Sequence, residues 1–286
     1  MKTISRKAYA KINFCLDVVG RRNNGYHDIR TVMQTVDIYD TLTFEKTEIA
    51  GIVLQTEDAT LPTNSDNLVV RACELMMAEY GLTGGLQITL EKEIPIAAGM
   101  GGGSSDAACA MHAVNELYNL NLSLEKLCTL GVRLGADIPY CLCGGTYLAE
   151  GIGEILTKLP APAPITLLIA KPPVGISTEE IYSALDNDPS SIRPDIDAFV
   201  LALTEKNLSD MCKHIGNAME SVTSSRVSAI REIENLMRDY GALKACMSGS
   251  GPTVFGIFET EGEAIKAYHV LKDSGLCKQL FVTRTI

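Results

Sequence analysis

The amino-acid sequence predicts an α+β protein built as two domains, and three observations carry that expectation. Apolar residues alternate with others over several short runs early in the chain, the mark of strands with one covered face. A glycine-rich segment then leads straight into a strongly apolar helical pattern. From residue 224 onward the patterns read helix, strand, strand, helix, strand, the order of a small open sheet backed by helices. With 286 residues, 46% apolar and 21% charged, the chain has material for about two cored domains and is too apolar for disorder.

The first strand covers residues 7–18, where Ile12, Phe14, Leu16 and Val18 share one face and period two places Lys11 and Asn13 together on the other. A turn follows at residues 21–25, then strands at 31–36, 40–44, 51–55 and 85–90. Asp66 is positioned to cap a helix carrying Leu68, Ala72, Leu75 and Met76, ended by Gly81, and Ser123 to begin another that Gly135 stops. Residues 1–155 therefore read as one α+β unit. Three prolines within residues 159–164 mark the connection to a second unit, residues 156–286. It opens with a strand at 166–170. Ser177 and Glu180 have capping-box spacing ahead of Ile181, Tyr182 and Leu185, and a loop with Pro and Asp covers 186–195. A helix over 224–240 aligns Val227, Ile230, Ile233, Leu236 and Met237 before Gly241. Strands at 243–247 and 253–258, a helix at 261–274 and a strand at 279–283 complete a ferredoxin-like order.

Charge and composition exclude several roles. Lys and Arg number 25 against 35 Asp and Glu, a net charge of −10 that argues against a protein whose main task is holding duplex DNA or an anionic membrane. The first thirty residues nevertheless hold an excess of bases, including Lys11, Arg21 and Arg22, so an anion is expected near the start of the chain; a basic edge strand that discourages aggregation is the plainer alternative. No apolar run long enough to span a bilayer and no apolar leader is present, which predicts a cytoplasmic protein. Nine scattered cysteines without C-x-x-C and four separated histidines give no metal-site spacing, and no disulfide is expected.

The densest signal is the run Pro95, Ile96, Ala97, Ala98, Gly99, Met100, Gly101, Gly102, Gly103, Ser104 and Ser105, followed by Asp106 and by Ala107, Ala108, Ala110, Met111, Val114 and Leu117 at helical spacing. Strand, glycine loop and helix start is the order of a phosphate cradle, because glycines let backbone N–H groups converge on an anion at the positive end of the helix dipole. No Lys follows the glycines, so this is not a Walker A loop. Counting from Gly99, the sixth position of a dinucleotide fingerprint is Ser104. The alternative is a hinge capped by Ser104 or Ser105. A second Gly-Ser cluster, Met247 to Thr253, lies between two strands, where a turn is the default reading.

A kinase without a Walker Lys still needs a group to orient the acceptor hydroxyl and a positive charge near the transferring phosphoryl. Asp137, in Gly135-Ala-Asp137-Ile-Pro139, and Lys11 are the candidates. The alternatives are a helix N-cap for Asp137 and a solvated strand residue for Lys11.

Taken in order, Lys7-Ala-Tyr-Ala-Lys11-Ile-Asn13-Phe, Gly25-Tyr26-His27, the Pro95 to Asp106 run, Gly135-Ala-Asp137-Ile-Pro139 and Met247-Ser-Gly-Ser-Gly-Pro252 resemble the motifs of the GHMP kinase superfamily, over residues 6–258. The Ala-Lys-Ile-Asn strand and the Gly-Tyr-His turn are similar to the branch acting on a cytidine-diphosphate-linked sugar alcohol. The resemblance implies a two-domain GHMP kinase fold, with a ribosomal-protein-S5-domain-2-like N-terminal unit, a ferredoxin-like C-terminal unit and an active site between them. It implies ATP-dependent phosphorylation of the tertiary 2-hydroxyl of cytidine-diphosphate-linked methylerythritol, in non-mevalonate isoprenoid precursor synthesis. By the same carry-over, Asp137 orients or deprotonates that hydroxyl and Lys11 neutralises charge in the transition state. Residues 95–105 bind the ATP phosphates, with Mg2+ bridging their oxygens and no protein ligand assigned to the ion. Asn13 lies near the acceptor, and Tyr26, His27 and Tyr182 hold the cytidine; an ordinary apolar-face role is the alternative for Tyr182. The chain departs from the family pattern at Met100, Tyr140 and Cys141, where Leu and two aromatics are commoner. A mevalonate- or homoserine-type acceptor is the alternative within the fold, and an RNA-binding module the alternative outside it, opposed by the acidic charge.

Overall fold

The computed structural model describes residues 2–23, 25–186 and 192–286. In chain order its elements begin with β1 (Thr3–Arg21), β2 (His27–Thr47), β3 (Gly51–Thr56), α1 (Leu68–Glu79), β4 (Gly85–Glu91), α2 (Gly102–Leu117), α3 (Leu124–Gly131) and α4 (Ile138–Cys143). They continue with β5 (Thr146–Glu150), β6 (Ile155–Lys158), β7 (Thr166–Lys171), α5 (Thr178–Leu185), α6 (Ile196–Thr204), α7 (Leu208–His214) and β8 (Gly216–Asn217). The chain closes with α8 (Glu220–Arg226), α9 (Ala229–Asp239), β9 (Lys244–Met247), β10 (Val254–Phe258), α10 (Glu261–Ser274) and β11 (Gln279–Arg284). Two compact units interleave along the sequence: Met1–Ala10, Ile38–Ile94 and Gly101–Gly144 make the first, and Lys11–Asp37, Pro95–Met100 and Gly145–Ile286 the second.

In the first unit β4 pairs in parallel with β3 and antiparallel with the second half of β2, Thr41 opposite Glu91 through Thr47 opposite Gly85. Period two turns Leu42 and Phe44 of β2, Leu54 of β3 and Leu86, Ile88 and Leu90 of β4 onto α1 and α2. Each large side chain buried there contributes about 1.5–3 kcal/mol. The small residues Ala107, Ala108, Ala110 and Ala113 let α2 bury nearly its whole circumference. The expected breaks differ in detail. Residues 31–36 and 40–44 belong to one strand, because Ile38 keeps the buried alternation going past the polar Asp37. Asn67 caps α1, its side chain accepting the Val69 N–H, so Asp66 lies one residue too early. Ser123 caps α3 as expected, but the helix ends at Gly131, where an added Cβ would lie 2.7 Å from Ile138 Cγ2.

The second unit contains an antiparallel sheet ordered β11-β7-β10-β9. Counted in chain order the strands lie fourth, first, third, second, the ferredoxin-like arrangement the element order predicts. Its helical cover includes Ile230, Ile233 and Met237 of α9 and Ala264, Ala267 and Leu271 of α10. The same unit holds the β5–β6 hairpin, which pairs with the first half of β2, and the short β8 parallel to β1. The expected helix at 224–240 is two helices. Ser225 Oγ bonds back to the Val222 carbonyl and Val227 leaves helical geometry, so the apolar stripe starts afresh in α9. Ser177 occupies the N-cap of α5 without a side-chain capping bond, so the expected capping box does not form. The β5–β6 hairpin, α6, α7 and β8 carry no expectation from the sequence, and half of the loop expected at 186–195, residues 187–191, lies outside the described residues.

Candidate functional site

Lys11 and Asn13 do share a face of β1, but that face is covered: they are 5% and 1% exposed, which corrects the picture of a solvated strand edge. The cover comes from two loops of the same unit. Residues 95–100 lie against the strand, with Lys11 N–H donating to the Met100 carbonyl at 3.0 Å. The Lys11 ammonium donates to Asn13 Oδ1 at 2.7 Å and to the Gly99 carbonyl at 3.2 Å. Ser248, in the second glycine-serine cluster, accepts the Asn13 N–H at 3.2 Å and donates its hydroxyl to the same Gly99 carbonyl at 3.1 Å. The Asn13 amide is fixed from behind by Thr31, to whose hydroxyl Nδ2 donates at 2.8 Å.

The approach of the two loops is backbone to backbone. A Cβ on Gly99 would sit 2.2 Å from the Ser248 carbonyl oxygen, and one on Gly249 would sit 3.0 Å from the Gly99 carbonyl oxygen. Both glycines have positive φ, +74° and +59°, so glycine is required on two counts. Asn217, following α7, anchors the second loop by donating to the Met247 and Gly249 carbonyls at 2.8 Å each. The Met247 to Thr253 cluster thus covers Asn13 as well as making a turn. Its composition marked it; nothing in the sequence marked Thr31 or Asn217.

The first unit holds the other end of the glycine run. Gly101, at φ 69°, is the N-cap of α2, so Gly102, Gly103, Ser104 and Ser105 lie inside the first turn rather than ahead of it. The first helical bond runs from Ser105 N–H to the Gly101 carbonyl at 2.8 Å, which directs the N–H groups of Gly102, Gly103 and Ser104 out of the helix end. Ser105 is buried and donates its hydroxyl to the Tyr9 carbonyl at 2.7 Å. Asp137 stands at the N-cap position of α4, half-buried, and its side chain makes no capping bond. Pro139 follows within the first turn, and Tyr140 packs fully buried behind it, 1% exposed.

Near the start of β2, the His27 ring stacks on Tyr182 of α5 at 4.7 Å between centroids, 16° between planes, and His27 Nε2 lies 2.7 Å from Asp186 Oδ1. Tyr26 is 59% exposed. The basic residues at the start of the chain are largely matched to acids. Arg21 meets Asp186 at 3.3 Å, Arg22 grips Asp28, and Arg6 meets Glu116. Arg30 binds both Glu150 and Asp197. Four of the early bases, Arg6, Arg21, Arg22 and Arg30, are therefore held in ion pairs, and the Lys7 ammonium lies over the Tyr39 ring at 3.8 Å.

The model of the GHMP kinases N terminal domain matches residues 67–145 and that of the GHMP kinases C terminal domain matches residues 192–275. A protein of Lachnospira eligens called 4-diphosphocytidyl-2-C-methyl-D-erythritol kinase is 48% identical over 285 residues, covering 100% of this chain and 99% of its own. The chain belongs to the GHMP kinases, in the 4-diphosphocytidyl-2-C-methyl-D-erythritol kinase family. A namesake from Lachnoclostridium phytofermentans is likewise 48% identical over 99% of the chain and 98% of its own length. A crystal structure of a 4-(cytidine 5'-diphospho)-2C-methyl-D-erythritol kinase superposes with TM-score 0.83 at 31% identity, covering 99% of each chain. A homoserine kinase from Cytophaga hutchinsonii, 20% identical with TM-score 0.77 and covering 99% of this chain and 95% of its own, shares the fold. As a GHMP kinase the protein is an ATP-dependent phosphotransferase. Among the described residues no helix is long and apolar enough to cross a membrane.

Proposed function

We propose that the protein transfers the γ-phosphoryl group of ATP to the tertiary 2-hydroxyl of 4-diphosphocytidyl-2-C-methyl-D-erythritol, giving the 2-phosphate and ADP in the cytoplasm. The observation that carries the reading is the convergence of Lys11, Asn13, Gly99 and Ser248, supported by full-length kinship at 48% identity to kinases of that name. Phosphoryl transfer leaves a protein little covalent work; it must align donor and acceptor and meet the charge that develops between them.

In this reading the outward N–H groups of Gly102, Gly103 and Ser104 hold the ATP phosphates at the positive end of α2, with the rest of residues 95–105 shaping the cradle. The buried ammonium of Lys11, positioned by Asn13 and Gly99, meets the charge on the transferring group. Asp137 accepts the hydrogen bond of the acceptor hydroxyl and takes its proton as the new ester bond forms. Asn13 lies beside the acceptor. Tyr26, His27 and Tyr182 form the cytidine end, where flat rings offer stacking faces and His27 offers a ring nitrogen. By chain position the ATP-binding domain is residues 1–155 and the C-terminal domain residues 156–286, a division along the sequence that the interleaved compact units cross.

Mg2+ is the ion this chemistry calls for; bound, it would neutralise phosphate charge. The donors here fit it: the Ser104 hydroxyl at the start of α2 is a hard oxygen, and Mg2+ characteristically keeps water and substrate oxygens for the remainder. No nucleic acid or membrane is assigned as a partner.

The test is an ADP-release assay with four acceptors supplied separately: the cytidine-linked methylerythritol, mevalonate, homoserine and galactose. Turnover with the first alone is expected, and free cytidine nucleotides should compete with it. Comparable turnover of one of the other three, with none on the cytidine compound, would reverse the substrate assignment.

A further inference from the structure

The second glycine-serine loop is gripped from behind by one short stretch of chain, Asn217 to Thr223, which runs from β8 into α8. That stretch is built onto the strand that carries Lys11 and Asn13: β8 pairs with β1 at Cys15 and Leu16, and the Ala218 N–H donates to the Leu16 carbonyl at 2.8 Å. Asn217 is buried, and its Oδ1 accepts the Met219 N–H at 2.9 Å. With the oxygen committed, the amide nitrogen faces the loop and donates to the Met247 and Gly249 carbonyls, one on each side of Ser248. Glu220, in the first turn of α8, accepts the Met247 N–H on Oε2 at 2.8 Å. Thr223 shares its hydroxyl hydrogen between the Met219 and Ser250 carbonyls, at 3.0 and 3.3 Å.

β9 is an edge strand, and covering its edge accounts for the two bonds to Met247. It does not account for those to Gly249 and Ser250, which lie beyond the end of the strand. What the whole grip sets is Ser248. Its hydroxyl accepts the Asn13 N–H and donates to the Gly99 carbonyl, the oxygen that also receives the Lys11 ammonium. A loop displaced by about 1 Å would take both Ser248 bonds beyond hydrogen-bond reach. We propose that Asn217 and Glu220 are positioning residues for phosphoryl transfer: holding Met247 and Gly249 on either side of Ser248, they fix the Gly99 carbonyl and, through it, the Lys11 ammonium, a task that rests on the role given above to Lys11.

The surrounding charges suit that task. Glu234 of α9 stands beside Glu220, and burial together with the charge of Glu220 pushes the Glu234 carboxyl up to about 8, with Arg238 and Lys244 opposing the rise. Glu234 therefore holds a proton at neutral pH and brings no second negative charge to the Met247 N–H. The buried thiol of Cys246, next to Met247 on β9, is likewise pushed up by burial and stays neutral. A bond from a backbone N–H to an acidic side chain is among the stronger ones available to a loop, which makes Glu220 a firm stop for Met247.

The experiment measures the melting point and, on folded protein, kcat and both KM values with Mg-ATP and the acceptor that the ADP-release assay identifies. The variants are Asn217→Asp, Glu220→Met and Glu220→Gln, each alone and combined with Ser248→Ala. Asn217→Asp keeps the shape and the bond from Met219 but sets a carboxylate against two carbonyls, and Glu220→Met keeps the length but removes the acceptor. These two should lower kcat by about ten- to a hundredfold with KM for ATP within about threefold, because the outward N–H groups of α2 are untouched. Glu220→Gln keeps an acceptor oxygen and should stay within about threefold of wild-type kcat. Added to Ser248→Ala, the first two should cost no more than about a further threefold, since the path through Ser248 is already cut. Wild-type kcat in Glu220→Met, or in a folded Asn217→Asp, would overturn the proposal; so would a Glu220→Gln as slow as Glu220→Met, or losses that multiply in full onto that of Ser248→Ala. If Asn217→Asp does not fold, the Glu220 variants decide by themselves. Lys11→Ala separates the two levels: wild-type kcat there overturns the role of Lys11 and this proposal together, whereas a dead Lys11→Ala beside fully active Asn217 and Glu220 variants overturns this proposal alone.

Discussion

Replacing Gly99 with Ala puts the contact between the two glycine loops to a quantitative test. The new methyl would lie 2.2 Å from the Ser248 carbonyl oxygen and 3.1 Å from Gly251 N, at φ +74°. Holding an L-residue in that left-handed region costs about 1–2 kcal/mol. Relieving the contact moves residues 95–100 off the strand and breaks the two bonds that the Gly99 carbonyl accepts, from Lys11 and Ser248. A bond to a charged donor is worth about 2 kcal/mol and a neutral one about 1 kcal/mol, for a total of about 4–5 kcal/mol. Gly275→Ala is the control. Gly275 ends α10 at φ +72° with nothing within 4 Å of an added Cβ, so only the same backbone cost of about 1–2 kcal/mol applies. The difference of about 3 kcal/mol predicts a melting point lower by about 6 °C or more in Gly99→Ala than in the control. Because Lys11 loses one of the contacts that position it, kcat/KM should fall by about a hundredfold or more. Thermal denaturation and steady-state rates on the two variants give the answer, and a Gly99→Ala protein no worse than Gly275→Ala would refute the proposed loop contact.

Other expectations follow from single groups. Asp137→Asn keeps the shape of the side chain and removes its charge; kcat should drop by about 10^2 to 10^4 with little change in ATP affinity, and near-normal turnover would remove Asp137 from the chemistry. Tyr182→Ala removes the ring stacked on His27 and should raise KM for the cytidine-linked acceptor while leaving KM for ATP unchanged, a split that initial-rate kinetics resolve. Burial together with neighbouring Glu220 pushes Glu234 up to about 8, against Arg238 and Lys244. Between the ordinary carboxyl range and about pH 8 the folded protein therefore binds a proton that the unfolded chain has released, so this group makes stability fall as pH rises through that window. Glu234→Gln should flatten that decline in thermal melts from pH 5 to 9, and an unchanged slope would show that Glu234 does not titrate in this way.

Much of this arrangement is written locally in the sequence. The glycine run, the strand holding Lys11 and Asn13, and the helix at 261–274 were legible because each depends on spacing within a few residues. The covering of Lys11 was not, since Gly99 and Ser248 lie 88 and 235 or more positions away and no periodicity within β1 registers them. Asp40 illustrates the same limit: by alternation it is one polar residue on an apolar face, and only the return of residues 92–94 and Asp106 explains it. The helices α6, α7 and α8 run to nine residues at most, too short for an apolar stripe to declare itself, and their caps, Asp195 and Asn207, resemble ordinary loop residues until the chain folds. Lys11 shows how a charge count misleads, because arginines that give the early chain its positive excess are paired with carboxylates far along the sequence.

The central claim, transfer of the ATP γ-phosphoryl to the 2-hydroxyl of the cytidine-linked methylerythritol, is tested most directly by phosphorus NMR of the reaction mixture. The predicted result is loss of the γ-phosphate resonance of ATP, appearance of ADP, and one new phosphomonoester on an acceptor whose diphosphate bridge stays intact. ADP accompanied by inorganic phosphate alone, with the acceptor unchanged, would contradict it.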